Sequence, residues 1–235
     1  DPHKVAAGST PTFAPGSESY CYAHGDELII SDFDNEANRR ISVNGWRLEK
    51  PQWSPDGLKL GYTAVRSNTR RVFVHDLHSS VSRLLVESDR DNFDYVWAPD
   101  SSRIYYFRGE NWQFTLWRVD VRTGDNVRLI SDKALIYDLS ISPDGGKLAY
   151  TATKELDFPR NNRDIFVHDL ETNEEKLIAD SDADEEAPRW GLRGENIYYC
   201  AAERIRPGYP RALARASLRS YSLADGVTRD IMFSD

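Results

Sequence analysis

The sequence predicts an all-β fold, a β-propeller of four-stranded antiparallel blades, on three observations. A Trp-Ser-Pro-Asp-Gly turn recurs along the chain, each copy is followed by a tyrosine at the same offset, and no helical period lies between the copies. The motif is Trp53-Ser54-Pro55-Asp56-Gly57. It returns as Trp97-Ala98-Pro99-Asp100-Ser101 and Ile141-Ser142-Pro143-Asp144-Gly145, and more weakly at Phe13 to Ser17 and Trp190 to Gly194. The anchors Phe13, Trp53, Trp97, Ile141 and Trp190 are spaced by 40, 44, 44 and 49 residues. A period of roughly 40–45 residues without helices marks a propeller rather than a helical solenoid.

Each element follows in order. The anchor ends a first apolar strand, and the Ser-Pro-Asp-Gly segment is a tight turn. Nine residues past the anchors stand Tyr22, Tyr62, Tyr106, Tyr150 and Tyr199, with Tyr20, Leu60, Ile104, Leu148 and Ile197 two positions earlier. Apolar residues two apart lie on one face of a strand. A third strand closes on Asp32, Asp76, Asp120, Asp169 or Ser222, a turn rich in Ser, Thr, Asn, Asp and Gly follows, and a fourth strand ends the unit. Blades are expected at about residues 11–43, 51–86, 95–130, 137–178 and 188–233 of a single domain covering 1–235. The count is five, or six where the chain is cut from a larger ring; segment 3–6 is a candidate strand latching onto the last blade.

The Trp-Ser-Pro-Asp-Gly, Leu-x-Tyr and Val-x-Asp-Leu pattern resembles the TolB-like branch of the WD-like β-propeller repeat family over nearly the whole chain. The resemblance implies blade type and a periplasmic or envelope location. It does not by itself select a function, because such blades occur both in binding proteins and in the propeller domains of prolyl-oligopeptidase-like enzymes.

Composition narrows the partners. A net charge of −8 argues against nucleic acid, whose phosphates need a basic footprint. No run of about 20 apolar residues is present to insert in a membrane. Cys21 and Cys200 lie eight and ten residues past their anchors, on one strand parity. Residues of one parity in neighbouring blades point the same way, which disfavours a disulfide and predicts single buried thiols.

Binding residues are expected where connections are long and variable. Connections into the first strands end at Glu49, Lys50, Asp94, Asp138 and Glu186, placed at the mouth of a central channel. Either they are solvated turn carboxylates, or they form an acidic ring whose field attracts a basic peptide or an amine. The rim loops carry Arg66, Arg70, Trp112, Arg160, Arg206, Tyr209 and Arg211, residue types frequent at interfaces.

Catalytic chemistry has little footing. There is no G-x-S-x-G, H-E-x-x-H or C-x-x-C pattern, and no motif calls for a cofactor or a metal. His75 and His168 repeat within Val-His-Asp-Leu, one per blade, as structural residues do. Asp180, Asp182 and Asp184 mimic the start of a calcium loop, but Glu185 stands where its glycine belongs. The expected function is therefore a non-catalytic scaffold that binds a peptide or protein at the acidic channel mouth. The alternatives are a peptidase propeller whose catalytic domain lies elsewhere, and a five-bladed glycosidase using Asp94, Asp138 and Glu186 as its carboxylates.

Overall fold

Twenty strands and no helix make up the described residues, namely 9–16, 18–33, 38–67, 69–88, 94–110, 113–133, 135–153, 162–203 and 215–233 of a computed structural model. Segment 3–6, Trp112, Arg160, Arg206, Tyr209 and Arg211 lie outside them.

The strands form five four-stranded antiparallel sheets, each a meander of consecutive strands. Blade one holds β1 (Ser9–Phe13), β2 (Ser19–His24), β3 (Glu27–Asp32) and β4 (Arg39–Ser42). Blade two holds β5 (Arg47–Trp53), β6 (Lys59–Arg66), β7 (Thr69–Asp76) and β8 (Val81–Ser88). Blade three holds β9 (Tyr95–Trp97), β10 (Arg103–Glu110), β11 (Gln113–Asp120) and β12 (Asn126–Lys133). Blade four holds β13 (Leu135–Ile141), β14 (Lys147–Thr153), β15 (Asp164–Asp169) and β16 (Glu175–Ala179). Blade five holds β17 (Asp184–Trp190), β18 (Asn196–Glu203), β19 (Arg215–Ser222) and β20 (Thr228–Phe233).

The turns form because short polar side chains satisfy backbone groups that strands leave unpaired. Ser54 Oγ donates to Asp56 Oδ1 at 2.6 Å and accepts the Lys59 N–H at 2.9 Å. Ser142 repeats this with Asp144 at 2.5 Å and Lys147 at 2.8 Å. In blades two, three and four the aspartate ending the third strand closes the next turn. Asp76 Oδ1 accepts the N–H groups of His78 and Ser79, Asp120 those of Arg122 and Thr123, and Asp169 those of Glu171 and Thr172.

The repeated tyrosines have one job in four blades. Each lies buried and bonds to the residue opening the fourth strand or next to it: Tyr62 to Ser82 at 2.9 Å, Tyr106 to Asn126 at 2.7 Å, Tyr150 to Glu175, and Tyr199 to Thr228. The ring fills the core while its hydroxyl keeps a partner, as burial of a phenol requires. Burial pushes the Tyr62, Tyr150 and Tyr199 hydroxyls above the ordinary tyrosine range.

The chain divides into two compact units, one centred on blades one and two and the other on blades four and five with most of blade three. In the first, Cys21, Ala23, Leu28, Ile30 and Ile41 of blade one meet Leu60, Tyr62 and Ala64 of blade two. The Trp53 indole adds a hydrogen bond to the Thr12 carbonyl at 3.4 Å. In the second, blade three's Phe107, Phe114 and Leu116 meet Leu148, Tyr150 and Phe166 of blade four. Blade four's Ala149, Ile165 and Val167 in turn meet Ile197, Tyr199 and Tyr221 of blade five. Here Trp190 donates to the Ser140 carbonyl at 3.4 Å, the bond that Trp53 makes in the other unit. Each large apolar side chain so buried contributes about 1.5–3 kcal/mol.

Two expectations change. In blades one, two, four and five the first strand begins before the residue that the sequence marks as its start, because it runs through a bulge, whereas blade three's begins at Tyr95 as expected. Register slips between Ser9 and Thr12, Glu49 and Gln52, Tyr137 and Ser140, and Glu186 and Arg189. Cys21 and Cys200 are both free, but only Cys21 is buried, its thiol pushed up to about 12 by desolvation. Cys200 is exposed, so the expectation of two buried thiols is corrected.

Candidate functional site

The first-strand bulges position the candidate residues. In four blades the residue three before the anchor has a left-handed backbone: Thr10 at φ 50°, Lys50 at 52°, Asp138 at 51° and Ala187 at 55°. None is glycine, and the position recurs at the bulge within four of the five first strands. An L-residue held there is strained by about 1–3 kcal/mol, and such strain concentrates at functional sites.

In the first unit, Glu49 and Lys50 lie on β5. Glu49 stands opposite Thr63 in the ladder and accepts from Arg47 Nη2 at 2.9 Å, with Arg70 Nη1 at 3.8 Å. A predicted mouth residue and a predicted rim residue are thus neighbours. Arg66 lies over the Trp46 ring at 4.6 Å and Arg71 at 4.4 Å, and Arg71 pairs with Glu87 at 3.0 Å. The indole is buried, so the two guanidiniums cover it as cation–π partners.

In the second unit, Asp138, Asp184, Glu186 and Arg163 come together. The Asp138 carboxylate accepts the Ala187 N–H at 3.2 Å, tying one blade's bulge to the next. Arg163 pairs with Glu186, places its Nε 3.6 Å from Asp184 Oδ1, and lies 5.6 Å over the Tyr137 ring. Its backbone N–H also donates to Asp184 at 3.2 Å. Asp184 is buried and Glu186 half-buried. Asp94 is half-buried, and its carbonyl accepts the Phe107 N–H at 3.3 Å.

Beside this cluster, Glu185 is buried. It takes the Ser181 hydroxyl at 2.5 Å and has Arg219 Nη1 at 4.0 Å. Burial raises its pKa above the ordinary carboxylate value. Arg219 also pairs with Asp230 at 2.9 Å. Among the described residues no cluster of three His, Cys, Asp or Glu side chains has the arrangement of a metal site. Within the Asp180–Asp184 run, Asp184 serves Arg163. His75 shares a hydrogen bond with Ser82 at 2.9 Å and His168 is buried in blade four, each within its own sheet.

The sequence brought in Asp184 and Glu185 only as parts of a calcium-loop mimic, and it gave Arg163 no acidic partner. Arg163 sits 21 and 23 positions from its two acidic partners, so only the fold joins them. The signal available was its place directly before β15.

No family model matches the chain. An uncharacterized protein of Agrobacterium fabrum is 26% identical over 155 residues, which is 63% of this chain and 52% of that protein. The Tol-Pal system protein TolB of Actinobacillus pleuropneumoniae is 36% identical over 59 residues, 25% of this chain and 14% of TolB. The chain thus spans about half of the first relative and a small part of the second. Among solved structures, a putative TolB from Agrobacterium tumefaciens matches with a TM-score of 0.72 at 14% identity, over 95% of this chain and 80% of that one. A prolyl endopeptidase matches with a TM-score of 0.72 at 14% identity, over 97% of this chain and 36% of that one. No helix among the described residues is long and apolar enough to cross a membrane. Five meander sheets with these neighbours make the fold a β-propeller, similar in its blades to TolB and to the propeller domains of prolyl peptidases.

Proposed function

We propose that this propeller is a non-catalytic protein-interaction scaffold of the periplasm or envelope, and that a peptide or protein partner docks on the blade ends carrying the bulges. The observation that carries this reading is the left-handed, non-glycine residue at one position of four first strands. Backbone held in that conformation so regularly fixes the neighbouring side chains in place before a partner arrives, which lowers the ordering cost of binding.

Beside Lys50 stands the Arg70–Glu49 pair, and beside Ala187 the Arg163–Glu186 pair. Glu49, Glu186 and Asp138 are only half-buried, so a basic group of the partner can compete with the arginines for them. The envelope setting rests on the TolB relative, which is named for the Tol-Pal system. Partner recognition by Arg66, Trp112, Arg160, Arg206, Tyr209 and Arg211 belongs to the same proposal.

The test immobilises the wild-type chain and a Glu49→Gln/Asp138→Asn/Glu186→Gln variant, then passes envelope extract over both. Asp138→Asn keeps an acceptor for the Ala187 N–H while removing charge. A partner retained by the wild type and lost by the variant, with circular dichroism unchanged, is the expected result. Equal recovery on both baits overturns the docking site.

A second reading is favoured by the prolyl endopeptidase likeness: a propeller that gates a catalytic domain borne by another segment. A serine-hydrolase sequence in the same gene product decides for it.

A further inference from the structure

At the end of blade two opposite the Ser54–Gly57 turn stands a group of side chains that its sister blades lack. Two positions past the core tyrosine, blades two, four and five carry Ala64, Ala152 and Ala201, and the residue opposite on the third strand is Arg71, Asp164 or Ser217. On the first strand, Leu48 stands opposite Ala64 and Glu185 opposite Ala201, and two positions before them come Trp46 and Ala183. A blade of this type therefore folds with neither an arginine nor a tryptophan in these places. Blade architecture alone does not call for Trp46 and Arg71.

Trp46 is 4% exposed and packs in the core with Leu48 and Ala64. The Arg66 and Arg71 guanidinium carbons lie 4.6 Å and 4.4 Å from its ring centroid, so two cations share one ring. A single carboxylate answers them. Glu87, opposite Arg71 in the ladder, accepts from Arg71 Nη2 at 3.0 Å. Arg71 Nε is buried with no hydrogen-bond partner, so Glu87 uses only part of that fork. Arg66 is exposed and has no acidic partner among the described residues. The cation–π contacts hold both forks in place but carry no charge to neutralise them. With a chain net charge of −8, this excess of positive charge is local to the group.

We propose that Arg66 and Arg71 over Trp46 form a carboxylate-binding site that takes an acidic side chain of a peptide partner. The planar carboxylate matches the guanidinium fork edge to edge, as Glu87 already does on Arg71. Glu87 also leaves its own negative charge in the site. A second monoanion meets less of its repulsion than a phosphate dianion does, which selects the carboxylate. The inference rests on the part in partner recognition given above to Arg66 and supplies its ligand. It makes no use of the acidic blade ends.

The probe is a capped triglutamate peptide, titrated into the 235-residue chain in low-salt buffer and followed by NMR. A capped triglutamine peptide and inorganic phosphate are separate arms. The wild type is expected to bind triglutamate, to ignore triglutamine and to bind phosphate more weakly. Arg66→Gln changes an exposed side chain and is expected to weaken triglutamate binding about tenfold, whereas Arg40→Gln, which removes an exposed arginine paired with Glu27, weakens it by less than about twofold. Glu87→Gln frees Arg71 and is expected to tighten binding about fivefold, against less than about twofold for Glu27→Gln. Absence of triglutamate binding to the wild type overturns the proposal. So does an equal loss in Arg66→Gln and Arg40→Gln, which would trace binding to diffuse charge. Tighter binding of phosphate than of triglutamate overturns it as well. Each of these failures leaves the acidic docking site standing, because its own test removes carboxylates and keeps Arg66.

Discussion

His168 lies buried in blade four with both ring nitrogens lacking a hydrogen-bond partner. Desolvation holds its pKa below the ordinary histidine value, and His75 is shifted the same way for the same reason. A neutral imidazole is tolerated in that site and an imidazolium is not. The folded chain therefore binds fewer protons here than the unfolded chain. Stability from these sites is complete above the unfolded pKa of about 6.5 and is lost as pH falls from there towards the lowered folded value. Urea midpoints at pH 8 and pH 5.5 should differ in the wild type and differ less in His168→Leu; an equal difference in both would remove His168 from the account.

At the scale of the element, backbone conformation decides which substitutions help. Ala187 has φ 55° and a methyl side chain with no polar role, so Ala187→Gly relieves strain and is expected to stabilise by about 0.5–1 kcal/mol. Gly145 is the opposite case. It has φ 76°, and a Cβ there would come within 3.3 Å of Pro99 Cδ in the preceding blade's turn. Gly145→Ala is expected to cost about 1–2 kcal/mol, read from the same urea curves. Ser101 stands at the equivalent turn position with φ 60° and offers its Oγ to the Asp56 N–H at 3.0 Å, a compensation that alanine lacks. The turns and the strands after them were legible in the sequence because their chemistry is local: Ser54, Asp56 and Gly57 act within five residues of one another. The bulges were not. Pro51 and Pro188 read as strand starts, while the ladder continues through them to Arg47 and Asp184. For the same reason the candidate acids were chosen without their partners. Glu49 meets Arg70 two strands away in its sheet, and Glu186 meets Arg163 from one blade to the next, so only the fold brings them together.

Over the whole molecule, the turn aspartates act together. Hydrogen bonds from backbone and side chain hold Asp76, Asp120 and Asp169 below the ordinary aspartate range, and bonds from Ser222 and Arg229 bring Asp225 down to about 2. Their stabilisation is complete above the unfolded value of about 3.9 and is lost as pH falls through the folded values. Because they are spread over four blades, acid should unfold the chain as a whole. Circular dichroism between pH 5 and pH 2 is expected to show the loss, with a midpoint raised by Asp169→Asn. An unchanged midpoint would place the acid-sensitive groups elsewhere. The meander has a further consequence in time. Every strand pairs with its neighbour in sequence, so a blade completes its hydrogen bonds as soon as its fourth strand leaves the ribosome. Contacts this local favour rapid folding. The apolar face that meets the next blade in each unit nevertheless stays bare until the next repeat is translated. During synthesis the growing chain thus always ends in one sticky sheet, which moves forward a blade at a time.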